Sequence, residues 1–311
     1  MADKPRWIKP NTTYSEVQRT SDRQFLFKPD EVIRNIIGAS AGRALEKYPV
    51  KIFWIDCNIN HKHVGKAPLS NSKEHLDNYI KFDQLFNSLV ARELNKHLGR
   101  EGSLYSSRNR IAEVIDDVSL EQQLLYAVTN PVKDGLVDRV ADWKGFSSYK
   151  QLATGEVEKY TYIDWTAWHR AGGKKSGKAP GAFVKTVVVK LSPIPAWEKI
   201  PEHKRQALFR RRVRELEQNY RVIRESEGRT VMGAVKLSKL DPRGRPKNPP
   251  KESGCQPLCH SSTVEGAKEY KKKWRDFLDQ YYYSSGMWMK GVRDVKFPSG
   301  SYRPPLIQLN V

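Results

Sequence analysis

The chain has 311 residues, with 55 Lys and Arg against 35 Asp and Glu, and carries a formal charge of +20 at neutral pH. That length exceeds one ordinary domain and can bury a substantial core, and a positive excess of this size suits a polyanionic partner rather than a small acidic substrate. No stretch reaches the ~18 to 20 uninterrupted apolar residues of a membrane span, the charged start Met1 to Asn11 does not read as a signal segment, and three cysteines make no disulfide framework, so a cytoplasmic protein with no membrane partner is expected.

Thr12 to Thr20 alternates and is rich in β-formers, which predicts a strand. Pro29 to Tyr48 opens with Pro-Asp-Glu and carries helical spacing at Val32, Ile36 and Leu45. Val50 to Ile59 is the strongest strand signal, Asn60 to Lys66 a further strand, and Ser72 to Leu98 a long amphipathic helix opened by Ser72. Arg110 to Ile115 reads as a strand or a helix start. Ser119 to Thr129 reads as a helix ended by Asn130-Pro131, because the residue before proline disfavours the helical region. This order predicts an α+β fold: a ferredoxin-like split βαβ domain with an antiparallel sheet over residues 1–150.

Residues 151–311 are expected to form a basic, mainly helical C-terminal extension. Gly172 to Gly181 reads as a flexible linker and Phe183 to Leu191 as a strand. In Pro201 to Glu227, Phe209, Val213, Leu216, Tyr220 and Ile223 recur as one narrow helical seam beside Arg210, Arg211, Arg212 and Arg214. Asp241 to Ser262 reads as irregular, and Val264 to Tyr283 as a last helix burying Tyr270, Trp274, Phe277 and Tyr281. Cys255-x3-Cys259-His260 resembles half a zinc site, but no second half follows it. The first 150 residues have a net charge of +4 and the remainder +16, so the extension is expected to hold the polyanion most strongly, Lys271, Lys272 and Lys273 included.

The residues that point to chemistry are Asn60-His61-Lys62-His63, directly after the strongest strand. In an extended segment, side chains two apart share a face, so His61 and His63 can bring two imidazoles to one divalent cation while Lys62 points the other way. A bare His-x-His is a weak signal by itself.

Five segments in order resemble the HUH-type single-tyrosine transposases, including the REP-associated group. They are Gln18-Arg19-Thr20 with Arg23 to Phe27, Asn60 to His63, Leu104 to Arg108, Leu125-Tyr126 through Asn130-Pro131 to Val137, and Trp143 to Tyr149. The tail Asp294 to Tyr302 is similar to the end of longer members. The resemblance implies a metal-dependent enzyme of DNA transposition and recombination that binds single-stranded or hairpin DNA. Its histidines and a third polar ligand would hold Mg²⁺ or Mn²⁺, and a tyrosine hydroxyl would form a 5′-phosphotyrosine and release a 3′-hydroxyl. By analogy with the family, two chains are expected to pair as a homodimer.

Two positions depart from the family pattern. Lys62 stands where a hydrophobic residue is usual, and Asn109 stands where the approach through Ser106, Ser107 and Arg108 should end in the nucleophilic tyrosine. Three readings stay open: a retired transposase domain that binds DNA or regulates, a substitute nucleophile with Tyr105 nearest, or a register error or deliberate replacement at Asn109. Tyr126 reads as a packing residue of its helix. Glu113, four residues after Asn109, is the first choice for third ligand, with Asp116 and Asp117 as alternatives and a solvated acidic cluster as the plain reading. Arg108 and Arg110 read as phosphate contacts or as ordinary surface charge. Fold and charge alone would also allow an RNA-binding protein.

Overall fold

The computed structural model describes residues 4–247 and 258–305. Its first elements are β1 (Thr13–Arg19), α1 (Glu31–Lys47), β2 (Lys51–Cys57), β3 (His61–Ala67), α2 (Lys73–His97), β4 (Arg110–Val114) and α3 (Asp117–Lys133). The helix starts carry local caps, and α3 begins at Asp117, two residues before the expected Ser119. Asp30 accepts from the backbone of Val32 and Ile33, Ser72 from His75, and Asp116 from Ser119, each cap contributing about 1 kcal/mol.

The sheet is mixed, in the order β2-β3-β1-β4-β7, where β7 is the two-residue strand Cys259–His260. Every pairing is antiparallel except β4 with β7. Residues directly across an antiparallel pair share a face, so the register sorts the side chains. His63 pairs with Val17, which pairs with Arg110, and His61 pairs with Arg19; these lie on one face. Lys62 and Lys66 pair with Gln18 and Tyr14, and Tyr14 with Glu113; these lie on the other.

α1 and α2 cover the second face, where Tyr14, Val64, Tyr79, Phe82 and Phe86 form one core. α3 covers the first, where Trp54, Leu124, Val128 and Val132 form a second core. Gly65 lies beneath the Trp54 indole, into which a Cβ would collide.

α3 does not end at Thr129. It runs through Asn130 and Pro131 to Lys133, although an interior proline removes a helix hydrogen bond and costs about 3 kcal/mol. Burial of Val128, Val132, Leu136 and Val137 in the core shared with Phe209 and Val213 outweighs that loss, at roughly 1.5 to 3 kcal/mol per large apolar side chain. The turn beyond is closed by Asp134 and Leu136, which donate to the carbonyls of Asn130 and Pro131 at 2.9 Å.

The later elements are α4 (Tyr149–Thr154), β5 (Lys159–Ile163), α5 (Trp165–Arg170), β6 (Val184–Val188), α6 (Glu202–Ser226), α7 (Gly233–Ser238) and α8 (Val264–Met289). The expected boundary at residue 150 does not divide the core. Tyr160 and Val187 of the β5–β6 pair join the first core beside Ile33 and Ile37 of α1, and Trp197, Phe209 and Val213 join the second beside α3. Part of 172–181, expected as a flexible linker, forms short helical turns, with the Trp168 indole donating to the Lys178 carbonyl at 2.9 Å. Of the segment expected to be irregular, 248–257 lies outside the described residues. Among the described residues no helix is long and apolar enough to cross a membrane.

The α1/α2 face carries a buried ionic cluster. Lys66, fully buried, pairs with Glu16 at 2.8 Å and Asp83 at 2.9 Å. Breaking a buried ionic cluster on one side leaves uncompensated charge. Replacement Lys66→Ala should therefore lower unfolding free energy by about 3 to 5 kcal/mol in urea titration at pH 7; a loss under about 1 kcal/mol would contradict the role given to Lys66.

Candidate active site

On the α3 face, His61 and His63 stand two residues apart on β3 with ring centroids 5.0 Å apart. α3 crosses above them and presents Gln123, Tyr126 and Asn130, whose spacing of three and four makes one helical stripe. The Asn130 amide nitrogen lies 3.0 Å from Nε2 of His61 and 3.0 Å from Nε2 of His63. One turn earlier, the Tyr126 ring meets His63 edge to face at 5.5 Å. His61 Nδ1 lies 2.7 Å from Asn60 Oδ1. With its proton on Nδ1, His61 donates to Asn60 and accepts from Asn130, so both contacts are satisfied. Two imidazole lone pairs thus converge on one amide.

The electrostatics keep those lone pairs available. Burial, and then the positive charges of Arg19 and Lys133, hold His61 down at about 4. The same burial, followed by His61, Arg19, Lys133 and His260, holds His63 well below the usual histidine range. Both rings are neutral at physiological pH, as metal ligands must be.

The donor set fits a divalent cation. A half-turn of the Asn130 amide about its terminal bond would bring its carbonyl oxygen to the two lone pairs, making a neutral set of two nitrogens and one oxygen with coordination positions left for water or phosphate. Asn60 then orients His61 from behind. Among the described residues no three His, Cys, Asp or Glu form a group that could hold a metal ion, and the amide that reaches both imidazoles is that of Asn130.

The residues expected from sequence divide between the two sides of the sheet. His61, His63, Arg108 and Arg110 line one cavity of about 740 Å³, together with Arg19, Gln123 and Tyr126. Asn109 and Glu113 also reach its wall but do not join the histidines. The helical spacing assumed for them does not exist, because Arg110 to Val114 is a strand. Strand alternation turns 109, 111 and 113 toward the α1/α2 face. There the Asn109 amide donates to Glu16 at 2.6 Å and Asp83 at 2.9 Å and accepts from Arg6 at 2.6 Å. Glu113 is held by Lys9 at 2.7 Å.

Tyr105 stands on that same side. Its ring lies 5.0 Å from the Lys62 ammonium, and burial pushes its phenol well above the ordinary tyrosine value. Lys62 points away from the histidines as expected, with its ammonium 4.3 Å from the centre of the Phe86 ring. Asp116 caps α3 and also accepts from the Ser262 backbone at 2.8 Å; Asp117 opens the helix. Lys271, Lys272 and Lys273 are exposed on α8, where Lys273 pairs with Glu269 at 2.7 Å.

Three residues that the sequence does not place beside His61 and His63 are brought there by the fold: Asn130 and Tyr126 from α3, the latter expected only to pack within its helix, and His260, which β7 brings into the same cavity. The Cys255 end of the Cys255-x3-Cys259-His260 spacing lies outside the described residues. The usable signal was the four-residue interval from Tyr126 to Asn130, which has meaning only if the helix continues past Asn130.

No protein-family profile matches the chain, and no curated protein does. Among solved structures, the chain is similar to a REP-associated tyrosine transposase bound to a REP hairpin, at 18% identity and a TM-score of 0.38 over 50% of this chain and 87% of that one. It is also similar to a candidate transposase from Deinococcus radiodurans R1, at 14% identity and a TM-score of 0.27 over 40% of this chain and 95% of that one. At TM-scores below 0.5 such likenesses decide nothing, and the chemistry has to be taken from the site's own residues.

The depressed histidines set a pH dependence. The unfolded chain takes up protons near the ordinary value of about 6.5, and folded His61 only near 4, so between these values unfolding binds protons and stability rises with pH. The contribution is complete above about 6.5 and is lost as pH falls toward 4. Urea midpoints measured from pH 7 to pH 4.5 should fall less steeply for His61→Gln than for the parent chain; identical slopes would contradict the buried neutral imidazole.

Proposed function

We propose that this chain is a transposase-like enzyme that cuts and rejoins single-stranded or hairpin DNA, with Tyr126 as nucleophile and His61, His63 and Asn130 as the ligands of Mg²⁺ or Mn²⁺. The observation that carries this reading is the Asn130 amide spanning both imidazoles at 3.0 Å, one helical turn from Tyr126. We take the framework as a ferredoxin-like split βαβ sheet with β7 added at its edge, in keeping with the order β2-β3-β1-β4. Residues 151–311 serve as the basic half of the chain, with Tyr160, Val187, Phe209 and Val213 anchoring it in the two cores, and pairing of two chains and a cytoplasmic setting belong to the same reading.

Tyr126 supplies the attacking oxygen. A new bond forms from its hydroxyl oxygen to phosphorus, the bond from phosphorus to the 3′-oxygen breaks, the phenolic proton leaves to solvent, and the 3′-oxygen is protonated as it departs. The product is a 5′-phosphotyrosine, whose phosphodiester bond can be returned to a 3′-hydroxyl in rejoining. A divalent cation at this site would supply Lewis-acid polarisation of the scissile phosphate. His61, His63 and Asn130 would hold it, and Asn60 keeps the His61 lone pair aimed. Arg19, Arg108 and Arg110 on the cavity wall suit phosphate oxygens on either side of the cut. The +16 of residues 151–311 supports a salt-sensitive grip on the remaining strand.

Asn109 is not the remnant of a lost nucleophile in this reading, since its amide is committed to Glu16 and Asp83. The retired-enzyme alternative rested on that position, and the bonds of Asn109 to Glu16 and Asp83 favour a structural role for it. With Mn²⁺ and labelled hairpin DNA, the parent chain should give a covalent adduct on a denaturing gel, mapping by mass spectrometry to Tyr126. Tyr126→Phe should reduce the adduct at least 1000-fold and Tyr105→Phe should leave it. An adduct that survives Tyr126→Phe would overturn the assignment.

A further inference from the structure

The stripe that α3 lays over the histidines continues beyond Asn130. Lys133, three residues on, places its ammonium 4.4 Å from the centre of the Tyr126 ring. From the sheet side, Arg19 stands directly across from His61 in the β1–β3 register. The carboxylate beside them, Asp134, accepts from the Asn58 amide at 2.6 Å and offsets only one of the two charges. Lys133 is exposed, so its long stem is free to swing its ammonium between the ring and whatever anion Tyr126 attacks.

A phosphodiester attacked by a phenol gains charge on its non-bridging oxygens, and a cation set beside the nucleophile stabilises that charge where it develops. The neutral ligand set of two imidazoles and an amide contributes no negative charge against which the substrate must be brought. Lys133 lies seven residues, two helical turns, after Tyr126 and on the same face. An ammonium that reaches the ring centre reaches the space around the hydroxyl with a rotation of its terminal torsions.

We propose that Lys133 is a catalytic residue of this site, its ammonium contacting a non-bridging oxygen of the scissile phosphate during attack and holding the phosphotyrosine until the strand is rejoined. The inference rests on Tyr126 as nucleophile, and two measurements separate its failure from failure of that reading.

The first is single-turnover cleavage of hairpin DNA at saturating DNA and Mn²⁺. Lys133→Ala should lower the rate at least tenfold, whereas Lys133→Arg should recover most of it. The second needs neither metal nor cleavage: binding of the same DNA to Tyr126→Phe protein in EDTA across a salt series. There the added Lys133→Ala change should reduce the slope of log affinity against log salt by about 0.7, the loss of one single-strand phosphate contact, while Lys133→Arg keeps the slope. A purely packing role over the ring would leave that slope unchanged. An unchanged slope, a rate within twofold of the parent, or an arginine no better than alanine would each overturn the proposal. If Tyr126→Phe still forms adduct, the nucleophile assignment fails while the salt series still reports whether Lys133 meets a phosphate.

Discussion

One side-chain amide organises the site. Asn130 lies between two imidazole nitrogens at 3.0 Å from each, and it can do so only because α3 stays helical through a proline. Had the helix ended at Thr129, the backbone would turn away and Asn130 would leave the stripe that begins with Gln123 and Tyr126. The apolar burial of Val128, Val132 and Leu136 against α6 thus has a chemical consequence: it holds a polar side chain over β3 against the local preference of Asn-Pro.

β3 separates two kinds of polar chemistry by its alternation. Toward α3 it offers His61 and His63, neutral and converging. Toward α1 and α2 it offers Lys62 and Lys66, the latter buried between Glu16 and Asp83. A one-residue slip of register would exchange the two sets and place charged ammonium groups where neutral lone pairs are required. The ionic cluster on the back face, with Asn109 completing it, penalises that slip. The back of the sheet therefore helps to specify the front, even though none of its residues faces the histidines.

The strands and helices of the first half follow from their patterns because their periods are clean and their caps are local. Ser72 caps α2 as its position implies, and the shared face of His61 and His63 follows from a period of two. The rest depended on contacts distant in sequence. Pro131 reads as a stop unless the core shared with α6 is known. Glu113 reads as a helical partner of Asn109 until β4 pairs with β1. His260 reads as part of a loop until β7 adds to the sheet edge. The aromatics Tyr160 and Trp168 of the later elements are buried as well.

The central claim is that the third ligand comes from α3 and not from β4, and titration calorimetry with Mn²⁺ tests it most directly. The account expects one Mn²⁺ per chain, affinity lowered at least tenfold in Asn130→Ala, and affinity unchanged within twofold in Glu113→Gln. Parent-like affinity in Asn130→Ala, or a loss confined to Glu113→Gln, would contradict it.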